Sequence, residues 1–156
     1  MRVLEVGTLN LLEHDEPASR EASEYAILSH TWTDDEVLHE DVLAHKLEAS
    51  RQKAGYVKIY HASDQAARDG YGYLWADTCC IDKRSSAELQ EVINSMYRYY
   101  SRARVCYVHL ADVDAGPDWQ DQMRRSRWFT RSWTLQELIG VDTRYSWSSS
   151  WVANSW

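Results

Sequence analysis

A stretch near the carboxyl end of the chain, SRWFTRSWTLQEL at residues 126–138, combines a carboxylate with large aromatic side chains. A helix through this stretch has about 100° of rotation per residue, which predicts one apolar stripe formed by Trp128, Leu135 and Ile139. Glu137 then faces away from that stripe, with Trp133 one turn earlier on its own side. Such a carboxylate is either a solvated surface residue or an acid in the wall of a pocket.

Polar and aromatic residues also follow three short apolar runs that we predict to be strands. Those at the end of YAILSH and just after it are Ser29, His30 and Trp32. Those at the end of YLWAD and after it are Asp77, Thr78 and Asp82, and those at the end of VCYVHL and after it are His109 and Asp112. In open parallel sheets, ligands bind outside the carboxyl ends of the strands. Position alone therefore makes this rim a candidate binding site.

The residue types on this rim leave several roles open. Asp77 and Asp82 can bind ribose hydroxyls or fix their own loop by Asx-type hydrogen bonds, and the second role is the one we favour. His30 lines the rim or satisfies a local hydrogen bond. Cys79 and Cys80 are adjacent rather than in C-x-x-C spacing, which argues against zinc, while a cysteine nucleophile stays open. The cysteine spacing leads us to expect no metal, and the lack of a Gly-rich phosphate loop leads us to expect no cofactor.

Composition bounds the class of protein. The chain has 156 residues, 44% of them hydrophobic, which fits one domain over residues 1–156. A net charge of −7 without a basic run argues against a nucleic-acid partner. The sequence shows neither a signal peptide nor a membrane span, so we expect no membrane partner. Three cysteines do not form a disulfide framework, so we expect a reducing, cytoplasmic location.

Predicted strands and helices alternate along the chain. An extended segment around RVLEV, a loop over residues 12–24 and the strand YAILSH come first. A helix near residues 51–69 follows, with Tyr56, Val57, Tyr60 and Ala67 on one side and Gly70 as its stop. After YLWAD, the capping box Ser85-x-x-Glu88 starts a second helix. Its apolar stripe consists of Leu89, Val92, Ile93, Met96, Tyr100 and Ala103.

After VCYVHL the pattern becomes weaker. The helix of residues 126–138 ends at Gly140, and VDTRYSW is predicted to begin a fourth strand. The Ser/Trp-rich tail, SWSSSWVANSW, shows no strand pattern, so the sheet is expected to lack its last strands. The alternation indicates a parallel α/β sheet with helices on both faces.

Three ordered strings also resemble a known family. YAILSHTW, YLWADTCCIDK with the helix after it, and SRWFTRSWTLQEL look like the three motifs of the fungal heterokaryon-incompatibility (HET) domain. The resemblance runs from about residue 2 to residue 140. Thr33 departs from it, because the family usually has Gly at that position. The segment GVDTRYSWSSSW also departs from the usual continuation after the third motif.

HET domains in turn are similar to Toll/interleukin-1 receptor (TIR) domains, which are flavodoxin-like α/β folds. The resemblance implies that Glu137 matches the glutamate that cleaves NAD⁺ in enzymatic TIR domains and that Trp133 matches its tryptophan. It also implies a substrate site with Trp133, His30, Trp32, Asp77 and Ser29 around NAD⁺ or a related nucleotide. Non-self recognition and programmed cell death are the implied biology, with self-association. The alternative is a non-catalytic signalling module that self-associates through exposed aromatic residues.

Overall fold

The computed structural model describes residues 1–19, 22–43, 47–114, 116–131, 140, 144–147 and 153–155. The strands are β1 (Arg2–Glu5), β2 (Leu11–Glu13), β3 (Tyr25–His30), β4 (Tyr73–Ala76), β5 (Val105–His109), β6 (Arg144–Trp147) and β7 (Ala153–Ser155). The helices are α1 (His39–Leu43), α2 (Leu47–Ser50), α3 (Ala54–Arg68), α4 (Ser86–Arg102) and α5 (Trp119–Arg124), and a 3₁₀ turn covers Arg127–Thr130.

These strands form one sheet in the order β2-β1-β4-β3-β5-β6-β7. The central strands β4, β3, β5 and β6 are mutually parallel, and β1, β2 and β7 are joined to their neighbours antiparallel. In chain order the parallel strands lie 2-1-3-4, which is the start of the flavodoxin-like order. The predicted α/β class with a mostly parallel sheet is therefore confirmed.

The ends of the chain extend this sheet further than the sequence patterns predict. β6 confirms the fourth parallel strand, with Cys106 opposite Arg144. The Ser/Trp-rich tail, where no strand was predicted, supplies β7 antiparallel to β6. At the other end, the loop predicted over residues 12–24 begins later than expected, because Leu11–Glu13 pair with β1.

The strand YAILSH is buried at every position, which is the mark of a strand covered on both faces. The connections β3–β4 and β4–β5 run in opposite directions across the sheet, so right-handed crossovers put α3 and α4 on opposite faces. Successive side chains alternate between these faces. Tyr25 bonds the Tyr99 carbonyl of α4, and Tyr107 bonds Asp69 at the end of α3.

Helix α3 forms where predicted, but the side that packs is a different one. Gly70, at φ +83°, follows its end as expected of a helix stop. The predicted side is wrong as a core face, because Val57 is 43% exposed and Tyr60 is 51% exposed. The buried side instead contains Gly55, Lys58, Ile59, Ala62, Ser63 and Ala66.

Helix α4 starts at the predicted cap. The Ser85 hydroxyl accepts a hydrogen bond from the Glu88 amide at 3.3 Å, which is half of a capping box. The other half is not made, because the Glu88 carboxylate accepts from the Asp82 amide at 3.0 Å and pairs with Arg2. Glu88 thus also connects the start of α4 to the loop before it and to β1.

Candidate functional site

The carboxyl ends of β3 and β5 meet at the centre of the sheet. His30 and His109 are register partners on these two strands, so their side chains lie on the same face. This is the face that α3 covers, and both histidines are buried. The strand order reverses between β3 and β5, which is where ligands bind in sheets of this kind.

Two charged residues of opposite sign complete this cluster. Glu36 follows β3 in a loop and is 6% exposed, and Lys58 of α3 is 4% exposed. The Lys58 ammonium donates to Glu36 Oε1, and His30 Nε2 lies 3.6 Å from Glu36 Oε2. Among the described residues, neither ring nitrogen of His30 has a hydrogen-bond partner. We refer to Glu36, Lys58, His30 and His109 as the buried cluster.

Burial and nearby charge oppose each other on the pKa of Glu36 and act together on the pKa of His109. Burial alone would raise the pKa of Glu36, but the contacts with His30 and Lys58 outweigh it and lower that pKa to about 2. Burial lowers the pKa of His109 to about 3, and the charge of Lys58 acts in the same direction. At neutral pH Glu36 is therefore ionised and His109 is neutral.

The other face of the sheet presents a different set of residues at the same edge. Ser29 points to the α4 face and accepts a hydrogen bond from Trp128 Nε1 at 2.7 Å. Both residues are fully buried, so Ser29 packs the 3₁₀ turn against the sheet. Ser29 and His30, which the sequence suggested as substrate-binding residues, both lie beneath the surface on opposite faces.

Trp32 and Asp77, also suggested from the sequence, do come together at the surface. Trp32 is 49% exposed, and its Nε1 donates to Asp77 Oδ2 at 2.9 Å. The Lys83 ammonium lies 3.4 Å from the centre of the Trp32 ring, in a cation–π contact. Burial lowers the pKa of Lys83, and the nearby Asp77 carboxylate opposes that shift. Sequence reasoning had not singled out Lys83.

These residues border an open pocket of about 430 Å³ on the α4 side of the sheet. Its described lining residues are Thr31, Trp32, Asp77, Ile81, Lys83, Leu89, Val92, Ile93, Met96, Tyr100 and Arg131. The floor is the apolar stripe predicted for α4, so that stripe forms a pocket as well as a core face. We refer to this cavity as the Trp32 pocket.

Arg131 connects the end of β3 with the Trp32 pocket. Its Nη1 donates to the His30 carbonyl oxygen at 2.6 Å, and its side chain lines the Trp32 pocket. Gly140 approaches α4 closely, because a Cβ at Gly140 would lie 2.8 Å from the Tyr100 Cβ. Glu137 and Trp133, the predicted catalytic residue and its aromatic neighbour, lie outside the described residues, between Arg131 and Gly140.

The remaining polar candidates have structural contacts. Asp82 accepts from the Arg84 amide at 3.1 Å, which is the Asx-type bond that we favoured. Asp112 accepts from the Ser126 hydroxyl at 2.6 Å and from the Arg127 amide at 2.8 Å, at the start of the 3₁₀ turn.

Cys79 has the environment of an inert thiol rather than that of a nucleophile. Its hydrogen bond with Cys80 and its complete burial together raise its pKa well above the ordinary value. Across the described residues, no group of three or more His, Cys, Asp or Glu side chains is arranged to hold a metal ion. None of the helices in that part of the chain has the length and hydrophobicity of a membrane span.

Comparison with known proteins identifies the family. A family model described as heterokaryon incompatibility protein (HET) matches residues 25–117, more than half of the chain. The vegetative incompatibility protein HET-E-1 of Podospora anserina is 52% identical over 124 residues, which cover 74% of this chain and 9% of that protein. No solved structure matches the chain. The chain belongs to the heterokaryon incompatibility (HET) family.

Proposed function

We propose that this HET domain acts in fungal non-self recognition and cell death by cleaving the nicotinamide–ribose bond of NAD⁺. The biological part follows from the family and from a relative that is named for vegetative incompatibility. This chain spans 9% of that relative, so the role of the whole protein is part of the proposal. The chemical part rests on the Trp32 pocket and on the resemblance of Glu137 to a catalytic residue.

The observation that carries the proposal is the chemistry of the Trp32 pocket. It offers a half-exposed indole, an apolar floor from α4, and two cations, Lys83 and Arg131. A dinucleotide has flat rings that stack on aromatic side chains and phosphates that pair with Lys or Arg. Concave, largely apolar pockets with a few convergent polar groups are the usual form of small-molecule sites.

The residues that flank Glu137 also support its assignment. Arg131 lines the pocket, and Gly140 packs on Tyr100, which lines it too. Arg131 and Gly140 are the nearest described residues on either side of Glu137 in the sequence, and each is in or next to the lining of the pocket.

The proposed reaction does not need a protein acid to protonate the leaving group. Water attacks C1′ of the ribose, the C–N bond breaks, and its electron pair leaves with nicotinamide, which becomes neutral. The water proton is released to solvent. A carboxylate at Glu137 stabilises the oxocarbenium-like ribose in the transition state.

The test is nicotinamide release from NAD⁺ by the purified protein over a series of protein concentrations. We expect Glu137→Ala to lose about 10² to 10⁴ in rate, as for loss of a positioned catalytic carboxylate. Glu91→Ala is the matched control, because Glu91 is an exposed glutamate of α4 outside the Trp32 pocket. Circular dichroism checks that each variant is folded.

Two results would overturn the proposal. Equal release by wild type and a folded Glu137→Ala variant would remove Glu137 from the mechanism. No release by wild type at any concentration would contradict the enzymatic function and favour the non-catalytic, self-associating module. A steep dependence of release on protein concentration would support the assembly that the family resemblance implies.

A further inference from the structure

Trp32 lies between two residues whose backbones are held by the buried cluster. The carbonyl oxygen of Thr31 accepts from Lys58 Nζ at 3.3 Å. On the other side, the Thr33 amide donates to Glu36 Oε1 at 2.7 Å, and the Thr33 hydroxyl donates to the same oxygen at 3.1 Å. The Lys58–Glu36 ion pair therefore clamps the chain immediately before and after the exposed indole.

Thr33 is one of the departures from the usual family sequence, and its contacts explain how the loop accepts it. Among the described residues, the only non-glycine with a positive φ is Leu9, so Thr33 does not need the backbone freedom of glycine. Its hydroxyl adds a second hydrogen bond to Glu36.

The clamp depends on a close approach between α3 and this loop. A Cβ at Gly55 would lie 2.6 Å from Glu36 Oε2 and 2.7 Å from Glu36 Cα, distances that real Cβ atoms do not reach. The Asp35 carboxylate accepts from the Ala54 amide at 2.8 Å, and the Asp35 carbonyl accepts from the Gly55 amide at 2.9 Å. The loop thus caps the start of α3, which in turn supplies Lys58.

An ion pair buried to this extent is a poor way to stabilise a fold. The cost of removing two charges from water commonly equals or exceeds their attraction, and apolar replacements are often as stable. What this pair does achieve is to fix the backbone on both sides of Trp32, with three hydrogen bonds to that backbone and to the Thr33 hydroxyl.

We propose that Lys58 and Glu36 are positioning residues, which hold Trp32 as the wall of the Trp32 pocket without touching the ligand. They act through the backbone of Thr31 and Thr33, from the opposite face of the sheet. The consequence for NAD⁺ rests on the proposed function, whereas the consequence for the position of Trp32 does not.

The first test is ¹⁹F NMR of protein labelled with 5-fluorotryptophan. The Trp32 resonance is assigned by its loss in Trp32→Phe, and the Trp75 resonance, from the core, by its loss in Trp75→Phe. The double variant Lys58→Met/Glu36→Gln removes both charges together and so avoids leaving one unpaired. We expect its Trp32 resonance to shift or broaden while the Trp75 resonance stays unchanged.

A second ion pair provides the matched control. Arg98 and Arg102 each approach Glu16 Oε2 to 2.7 Å, and none of the three residues lines the Trp32 pocket. Arg98→Met/Glu16→Gln should therefore leave the Trp32 resonance in position. If Lys58→Met/Glu36→Gln does not fold, Gly55→Ala replaces it, since the added Cβ displaces Glu36 without changing any charge. Its control is Gly72→Ala, where an added Cβ meets nothing within 4 Å. An unchanged Trp32 resonance in a folded test variant would overturn the proposal.

The second test measures steady-state kinetics with NAD⁺. A displaced pocket wall weakens substrate binding, so we expect KM to rise about tenfold in the double variant while kcat stays within about threefold. A fall in kcat at constant KM would contradict a role through the pocket wall. If the wild type does not cleave NAD⁺, the proposed function fails, and the NMR result alone decides whether Trp32 is positioned by the pair.

Discussion

At the carboxyl ends of the central strands, the two faces of the sheet carry charge in different ways. The α3 face buries the Lys58–Glu36 pair beside two histidines, and each of these residues is at most 6% exposed. The α4 face keeps Lys83 and Arg131 around an open pocket with a half-exposed indole. On the first face the charges are removed from water during folding, whereas on the second they stay partly exposed.

The two faces of this small domain therefore differ in what their charged residues do. The α3 face, with its buried Lys58–Glu36 pair, is the closed face, and it fixes the loop from which Trp32 projects. The α4 face is the open face, where the apolar stripe of α4 lines a cavity of about 430 Å³ instead of being fully covered. Substitutions on the closed face should therefore change the free energy of unfolding, and those on the open face should change ligand binding.

The largest expected effect is that of Lys58→Met, which leaves Glu36 buried and unpaired. We expect a loss of about 3 to 5 kcal/mol in the free energy of unfolding. Adding Glu36→Gln should recover most of this loss, and urea denaturation measures both. The control pair is Asp64 and Arg68, whose side chains are 41% and 69% exposed, and its loss should cost under about 1 kcal/mol. A small effect of Lys58→Met alone would mean that the closed face is hydrated.

The second-largest effect is expected from acidification, which should lower the free energy of unfolding through the closed face. The folded pKa of His109 is lowered to about 3 from an ordinary 6.5, so only the unfolded chain binds this proton between those values. Stability is then fully present above about pH 6.5 and falls as the pH drops, by up to about 1.4 kcal/mol per pH unit. Glu36, with a pKa of about 2, contributes a further loss below about pH 4.5.

Urea denaturation of wild type and His109→Gln between pH 7 and pH 5 tests this assignment. The wild type should lose about 2 kcal/mol over that range, and the variant should lose clearly less. An identical pH slope in both proteins would show that His109 is not the responsible group.

Gly55→Ala should have an intermediate effect on the closed face. Overpacking costs about 1 to 3 kcal/mol, and the better helix propensity of Ala returns up to about 1 kcal/mol. We therefore expect a net loss of about 1 to 2 kcal/mol by thermal or urea denaturation. Gly72→Ala, which meets nothing within 4 Å, should change stability by about 0.5 kcal/mol or less. Equal effects of the two variants would show that α3 can move away from the loop.

Local sequence signals account for most of the fold. The continuous apolar runs at β3, β4 and β5 and the Ser85 cap of α4 are all decided within a few residues, and all are observed. β7 was missed, because three residues of a Ser/Trp-rich tail have no periodicity and are strand only through pairing with β6.

The site was predicted only in part, and the reason lies in α3. In the string GYVKIYHAS, Lys58 is buried and Val57 is 43% exposed, the reverse of what hydropathy indicates. The burial of Lys58 follows from Glu36, whose loop is brought to α3 by tertiary contacts at Gly55. Small residues spaced along α3, at Gly55, Ala62 and Ala66, were the available signal for the packed face. Trp32 and Asp77 were found because they follow strands directly.

The smallest expected effect on stability is that of Trp32→Ala on the open face. Because the indole is 49% exposed, we expect a change of about 1 kcal/mol or less in the free energy of unfolding. Trp75→Ala, at a position 1% exposed, should by contrast cost about 3 to 5 kcal/mol. Calorimetric titration with NAD⁺, with Glu137→Ala added to each protein so that NAD⁺ is not consumed, should show the opposite ranking, since loss of a stacking surface weakens binding by about tenfold. If Trp32→Ala instead destabilises the fold strongly and leaves NAD⁺ binding unchanged, the role of Trp32 is structural and the ligand binds elsewhere.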